Sequence, residues 1–152
     1  MVKLLIDFKA DPNIRDIEKR TALHLALDFQ HDNHGGNLEL AELLLKFGAD
    51  PALGCDDIGI ANSCVHAATM ENDAASLSLL LRYGASAHAA GKGGFTPLAL
   101  ASRSGAVPAA TLLLAAGADP DAPTPMGKTS RAIAMANNRS AILEAFGAAP
   151  KP

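Results

Sequence analysis

Tryptophan is absent from this chain and aromatic residues make up only 4% of it, so any core has to be built mainly from leucine, alanine and isoleucine. Such side chains suit closely stacked helices better than a β-sandwich. Cysteine is scarce as well: Cys55 and Cys64 are too few for a disulfide framework, and free thiols in an intracellular protein are the expectation. The N-terminal MVKLLIDFKAD has only a brief apolar run before it turns acidic, unlike a secretory signal. No stretch approaches the roughly 18 uninterrupted apolar residues of a membrane-spanning helix, so no membrane insertion is expected. Excess positive charge is lacking too. A net charge of -3 and a pI near 5.9 exclude a general affinity for nucleic acid or anionic membranes, which needs a basic surface to release counterions. The expected location is the cytoplasm, with the nucleus also open. What is present, 152 residues at 49% hydrophobic content, suffices for one domain with a proper core.

The stretch GFTPLALASRSGAVPAATLLLAAGADP, Gly94 to Pro120, shows how that core is organised. Thr96 followed by Pro97 is a helix start: the threonine oxygen accepts from an orphan backbone N–H, and proline at the first helical position has no N–H to lose. Leu98, Leu100 and Ala101 give the helix an apolar face, and Gly105 ends it, since glycine or asparagine adopts a left-handed terminal conformation cheaply. Val107, Ala110, Leu113 and Leu114 then recur at three- and four-residue spacing, which predicts a second amphipathic helix closed by Gly117. Ala118-Asp119-Pro120 leads the chain away, because Pro120 disfavours helical geometry at Asp119.

The rest of the chain repeats this unit. The helix start recurs as TALHLAL at Thr21, SCVHAAT at Ser63, TPLALAS at Thr96 and TSRAIAM at Thr129, at spacings of 42, 33 and 33 residues. The second-helix ending recurs as LLIDFKADP at Leu4, LLLKFGADP at Leu43, LLLRYGASA at Leu79 and LLLAAGADP at Leu112, at spacings of 39, 36 and 33. The period is therefore 33, and the excess places six extra residues around Gln30 to Gly35 and three around Cys55 to Asp57. Both insertions fall in loops, where a repeat array tolerates them.

A 33-residue period with T-P/A-L-H at one helix start and L-L-L-x-x-G-A-D-P at the next helix end resembles the ankyrin repeat family. The resemblance covers essentially the whole chain and implies an all-α solenoid of about four repeats: paired antiparallel helices, with loops projecting as β-hairpin-like fingers. The implied organisation is a single domain over 1–152. Residues 1–19 form a half-repeat and finger, 20–61 a first repeat with insertions, 62–94 and 95–127 the second and third, and 128–152 a shorter capping repeat and tail. Val2 to Ala10 reads as a second helix whose first helix is missing. A fragment, a half-repeat cap and pairing with another chain, including self-association, are all open on that observation. At the other end, Arg139, Ser140 and Glu144 suit a wetter outer face, as the end of a stack requires.

Chemistry-bearing residues are few. His24 and His66 each stand three residues after a helix start; the resemblance implies that each imidazole hydrogen-bonds the helix-start hydroxyl and nearby loop backbone, and Ala99 and Ala132 replace them elsewhere. His31, Asp32 and His34 are the only local cluster of ligand types. A metal site needs three or four ligands held by further hydrogen bonds, so a polar loop is the expectation and no metal or cofactor is assigned. Cys55, Cys64 and His66 form no C-x-x-C pattern. Gly91-Lys92-Gly93-Gly94 lacks phosphate-loop spacing and is assigned to a finger. No nucleophile-elbow, zincin or kinase set is found, so no enzymatic activity is expected.

Surface recognition remains. In the family, partner contacts fall just before the helix-start threonine and just before the inter-helix glycine. Carried over, those positions are Arg15, Ile17, Glu18, Arg20, Asp28 and Phe29; Ile60, Asn62, Met70 and Glu71; Lys92, Phe95, Arg103 and Ser104; and Met126, Lys128, Ala136 and Asn137. Phe29, Met70, Phe95 and Met126 are apolar at groove positions and serve either as anchors for a partner or as packing for their own fingers. The expected function is a non-enzymatic module that binds a protein or peptide through a concave groove and finger loops. A regulatory or targeting domain of a larger protein is the alternative. A third reading is a substrate of an asparaginyl hydroxylase of the kind that modifies ankyrin repeats, since Leu5 and Asp11-Pro12-Asn13 resemble the Leu-x5-Asp-Val-Asn pattern, with Pro12 in place of the usual aliphatic residue.

Overall fold

The computed structural model describes residues 10–27, 37–53 and 63–148. Within them the chain forms helix pairs: α1 (Ala22–Leu27) with α2 (Leu38–Lys46), α3 (Cys64–Met70) with α4 (Ala74–Arg82), α5 (Pro97–Ser104) with α6 (Val107–Ala115), and α7 (Ser130–Ala136) with α8 (Ser140–Ala148). The first helices α1, α3, α5 and α7 pack in one row, the second helices α2, α4, α6 and α8 in a parallel row, and the two rows meet within each pair. This is the expected solenoid. The six-residue insertion and the three-residue finger extension lie outside the described residues.

Local chemistry sets each boundary. The Thr96 and Thr129 hydroxyls accept from the backbone N–H of Ala99 and Ala132, at 3.3 and 3.1 Å, and Pro97 opens α5. Asn37 caps α2 at Leu40, and Asp73 caps α4 at Ala75 and Ser76. Each supplies an acceptor to donors that have no partner inside the helix. The second helices α2, α4 and α6 close alike: the N–H of Ala49, Ala85 or Ala118 donates back to the middle leucine of the triplet, Leu44, Leu80 or Leu113, at 3.0, 3.1 and 2.9 Å. The glycine before each alanine is left-handed, as this reversal requires.

The triplet's middle leucine and the leucine or valine second in α1, α3 and α5 make much of the core. Leu23, Val65 and Leu98 are buried, as are Leu44, Leu80 and Leu113. Between them sit Ala26, Ala68, Ala101 and Ala134, small enough to let the first helices approach closely. Burying each leucine is worth about 2 kcal/mol. The buried hydroxyls of Thr69 and Ser102 donate to the carbonyls of Val65 and Leu98 at 2.7 Å, so neither carries an unsatisfied donor into the joint.

Among the described residues the fingers are hairpin-like turns without a strand. Asp16 N–H donates to Arg20 O, Gly91 N–H to Phe95 O and Thr124 N–H to Lys128 O, and Pro123 and Thr129 form an isolated bridge. Gly91-Lys92-Gly93-Gly94, assigned to a finger, contains a single 3-10 turn over Lys92–Gly94.

The turns inside the last three pairs differ in residue but not in shape. Gly105 is left-handed with φ 85°, and Asn72 and Asn138 hold the same position with φ 53° and 54°. A Cβ on residue 105 would lie 3.2 Å from the Arg139 side chain, a contact that any substitution meets equally. Comparing two substitutions therefore isolates the backbone. We expect Gly105→Ala to cost about 1–2 kcal/mol of stability in urea unfolding and Gly105→Asn measurably less, because asparagine tolerates the left-handed region.

Candidate functional site

The first finger is built around one carboxylate. Asp16 Oδ1 accepts from the backbone N–H of Glu18 and Arg20 at 3.0 and 2.8 Å, and Oδ2 accepts from Arg20 Nε at 3.0 Å. Arg20 also pairs with Glu18. The N–H groups aimed at Asp16, foremost that of Arg20, hold its carboxyl below the usual range. With Lys19 left-handed at φ 58°, the tip is a defined turn that presents Ile17 almost wholly to solvent, at 99% exposure. Arg15 is exposed beside it. An isoleucine with no packing role, held on a hydrogen-bonded turn, is a preorganised apolar contact.

The other candidate positions line the same row of fingers and helix ends. Met70 is half-buried at the end of α3 and Glu71 is exposed just beyond it. Phe95 is half-buried, with the Arg103 guanidinium 5.0 Å from its ring centroid. That geometry orients an exposed cation over an aromatic face. Ser104, also exposed, donates to Leu100 O at 3.0 Å. Met126 is 45% exposed, and its side chain leans toward the neighbouring finger, where a Cβ on Gly94 would meet it at 3.1 Å. Lys128 is exposed and its carbonyl closes the last finger; Ala136 and Asn137 are exposed, and Asn137 Nδ2 donates to Ile133 O at 2.7 Å. Lys92 is placed by its backbone in the 3-10 turn. Asp28, Phe29, Ile60 and Asn62 lie outside the described residues, as do His31, Asp32, His34 and Cys55. Among the described residues no three His, Cys, Asp or Glu side chains gather as metal ligands.

The two histidines are placed as the resemblance implies. His66 Nδ1 lies 2.8 Å from Ser63 Oγ and Nε2 lies 3.2 Å from Phe95 O. A carbonyl only accepts, so Nε2 carries the proton and Nδ1 accepts from the serine hydroxyl. His24 Nδ1 takes the Thr21 backbone N–H at 3.2 Å and lies 2.9 Å from its hydroxyl, so it too is protonated on Nε2. That buried Nε2 has no hydrogen-bond partner among the described residues. Burial pushes His66 down, opposed by the carbonyls of Phe95 and Ala89. It pushes His24 further, to about 4, with the Arg15 charge adding to the effect.

Several polar side chains tie one repeat to the next, a role the sequence pattern does not assign them. Both amide atoms of Asn13 are used: Nδ2 donates to Gly48 O at 3.0 Å and Oδ1 accepts from Asp50 N–H at 2.8 Å, while its own N–H donates to Asp11 at 2.8 Å. An asparaginyl hydroxylase would meet Asn13 in that clasp. Asn72 Oδ1 accepts from Ala109 N–H at 3.4 Å, serving the start of α6, which has no side-chain cap of its own. Arg139 Nε donates to Arg103 O at 3.1 Å. The available signal was positional: Asn72 and Asn138 stand where Gly105 stands in the template.

Two rows of stacked helices joined by hairpin-like fingers define a helical-repeat scaffold. The chain belongs to the ankyrin repeat family: the family model of three ankyrin repeats matches residues 33–124, and a second model, of many copies, matches 1–45. It is similar to palmitoyltransferase AKR1 of the yeast Lachancea kluyveri, with 31% identity over 144 residues. The match covers 94% of this chain and 19% of that relative, so the chain spans about a fifth of its length. Among the described residues no helix is long and apolar enough to cross a membrane.

The buried histidines give a pH dependence whose sign is fixed. Well above pH 6.5 His24 is neutral in both folded and unfolded chains and contributes nothing to it. As pH falls from 6.5 toward 4, the unfolded chain takes up a proton that the folded chain refuses, so stability drops, by about 3 kcal/mol at the lower end from His24 alone. His66 adds in the same direction. Urea unfolding across that range should show the decline, and His24→Ala should flatten it; an equal slope in the variant would remove His24 as its source.

Proposed function

We propose that the chain is a non-enzymatic protein–protein interaction module that receives a partner protein or peptide on its concave groove and finger loops. The observation that carries this is the first finger, where the Asp16 hydrogen bonds hold Ile17 at 99% exposure with Arg15 beside it. A fully exposed isoleucine contributes nothing to the fold, and apolar anchors flanked by arginine are where interfaces concentrate binding energy. Phe95 beneath Arg103 and the half-exposed Met126 supply similar elements further along. The binding positions are Arg15, Ile17, Glu18, Arg20, Met70, Glu71, Phe95, Arg103, Ser104, Met126 and Lys128, together with Lys92, Asp28, Phe29, Ile60 and Asn62.

A second reading follows from the relative of which the chain spans 19%: the module is one part of a larger polypeptide that carries its activity elsewhere. In a palmitoyltransferase it would hold a protein near the acylating centre, an assignment that rests on the relative's name alone. The two readings are compatible, because a groove keeps its binding role inside a longer chain.

Partners captured by the chain and identified by mass spectrometry give the ligand for a binding assay. Ile17→Asp, and separately the combined Met70→Ala, Phe95→Ala and Arg103→Ala, are expected to weaken that partner about tenfold or more, or about 1.4 kcal/mol. Ile17→Asp should leave thermal unfolding within about 1 °C of the parent, since the side chain packs against nothing. Unchanged affinity in both variants would place the interface off the groove.

A further inference from the structure

Burial along the row of first helices follows position in the stack. Four residues after each helix start stand Leu25, Ala67, Leu100 and Ile133; the last three are 1%, 1% and 7% exposed, whereas Leu25 is 54% exposed. One residue after the start, Cys64, Pro97 and Ser130 are buried while Ala22 is exposed. These two positions are covered in every repeat that has another in front of it. At the far end the pattern reverses. Six residues after the start, Leu27, Thr69 and Ser102 are buried and Met135 is 59% exposed. Two residues after it, Leu23, Val65 and Leu98 are buried and Arg131 stands partly exposed in their place. So one set of positions faces the preceding repeat, the other the following one.

The two open edges differ chemically. At the far edge Arg131 makes a bidentate pair with Asp121, at 2.7 and 2.9 Å, and its guanidinium lies 5.4 Å from the Phe146 ring centroid. A charge there disfavours a further joint, because continuing the stack would bury an ion pair against apolar side chains. The α1 edge carries only alanine and leucine at the positions that receive a neighbour. Its surface is that of a joint, not of a cap.

We propose that the Ala22–Leu25 face of α1 is such a joint and takes the first helix of one more ankyrin repeat in the same polypeptide, packed as α1 packs on α3. This rests on the reading of the chain as part of a larger protein. The occupant's chemistry follows from the joints on the page: leucine or valine two residues after its helix start and a small or apolar residue at six, the positions by which Leu23 and Leu27 face onward. Its place follows from the spacing. In the two repeats without an insertion between their helices, helix start and leucine triplet are 16 residues apart, so the missing start belongs 16 residues ahead of Leu4.

The test compares Leu25→Lys, and Leu25→Ala as the milder change, in the 152-residue chain and in the complete product of its reading frame. In the complete product, hydrogen exchange at the α1 amides should quicken about tenfold or more on Leu25→Lys; in the short chain it should change less than about twofold. The short chain should sediment as a monomer with either residue. A threonine or serine helix start absent at the stated spacing overturns the proposal, and so does equal exchange in both contexts. A dimer of the short chain that Leu25→Lys dissociates also overturns it, since a second copy would then be the occupant. Coding sequence that extends only downstream of Pro152 would sink the joint and leave the larger-protein reading standing.

Discussion

No repeat of this chain can bury its own leucines. Each helix pair covers one side of its apolar surface and leaves the other to its neighbour, as the burial of Leu100 and Ile133 and the exposure of Leu25 show at equivalent positions. Stability in such an array is a sum over joints, and its ends are where the sum is incomplete. Composition answers to the same constraint. The alanines of the first helices permit close approach, and aromatic rings, which would hold the rows apart, are nearly excluded from the joints. Phe146, the one buried phenylalanine among the described residues, lies in α8, outside the joints between the first three helix pairs.

Polar groups adapt to stacking by bonding across joints. His66 reaches the carbonyl of Phe95 in the next finger, Asn13 clasps Gly48 and Asp50, Asn72 serves the start of α6, and Arg139 reaches Arg103. These bonds run at both margins of the stack, the finger bases and the inter-helix turns, while leucines fill the middle. Buried donors and acceptors are thereby satisfied without interrupting the apolar seam. The margins are also where the proposed binding positions lie, so the same bonds that join repeats stiffen the surface proposed for a partner. Ile17 owes its exposure to the Asp16 bonds within its own finger, and Arg103 lies over Phe95 within a single repeat.

Much of the fold was legible because a repeat displays its rules several times over. Thr96-Pro97, Gly105 and the Leu112 triplet each state a boundary, and three neighbouring copies confirm which features are general. The candidate surface was legible only as positions. The family resemblance names Phe95 and Arg103 as groove residues, but that one covers the other depends on a side-chain approach between residues eight apart. Asn13 looks like a loop asparagine in sequence; its clasp on Gly48 and Asp50 exists only once two fingers lie side by side. Leu25 reads as a core leucine by every local rule, yet it is half-exposed, because its burial depends on a neighbour rather than on its own helix.

The sequence by itself determined the period, the helix boundaries and the family, since those rest on interactions within one turn or one helix pair. Tertiary structure decided which apolar residues are core and which are surface, how the histidines choose their protonated nitrogen, and which polar side chains join repeats. The physical reason is that capping, turn and amphipathic signals are local and are written in consecutive residues. Burial in a stack is a relation between residues more than 30 positions apart, set by what lies on either side.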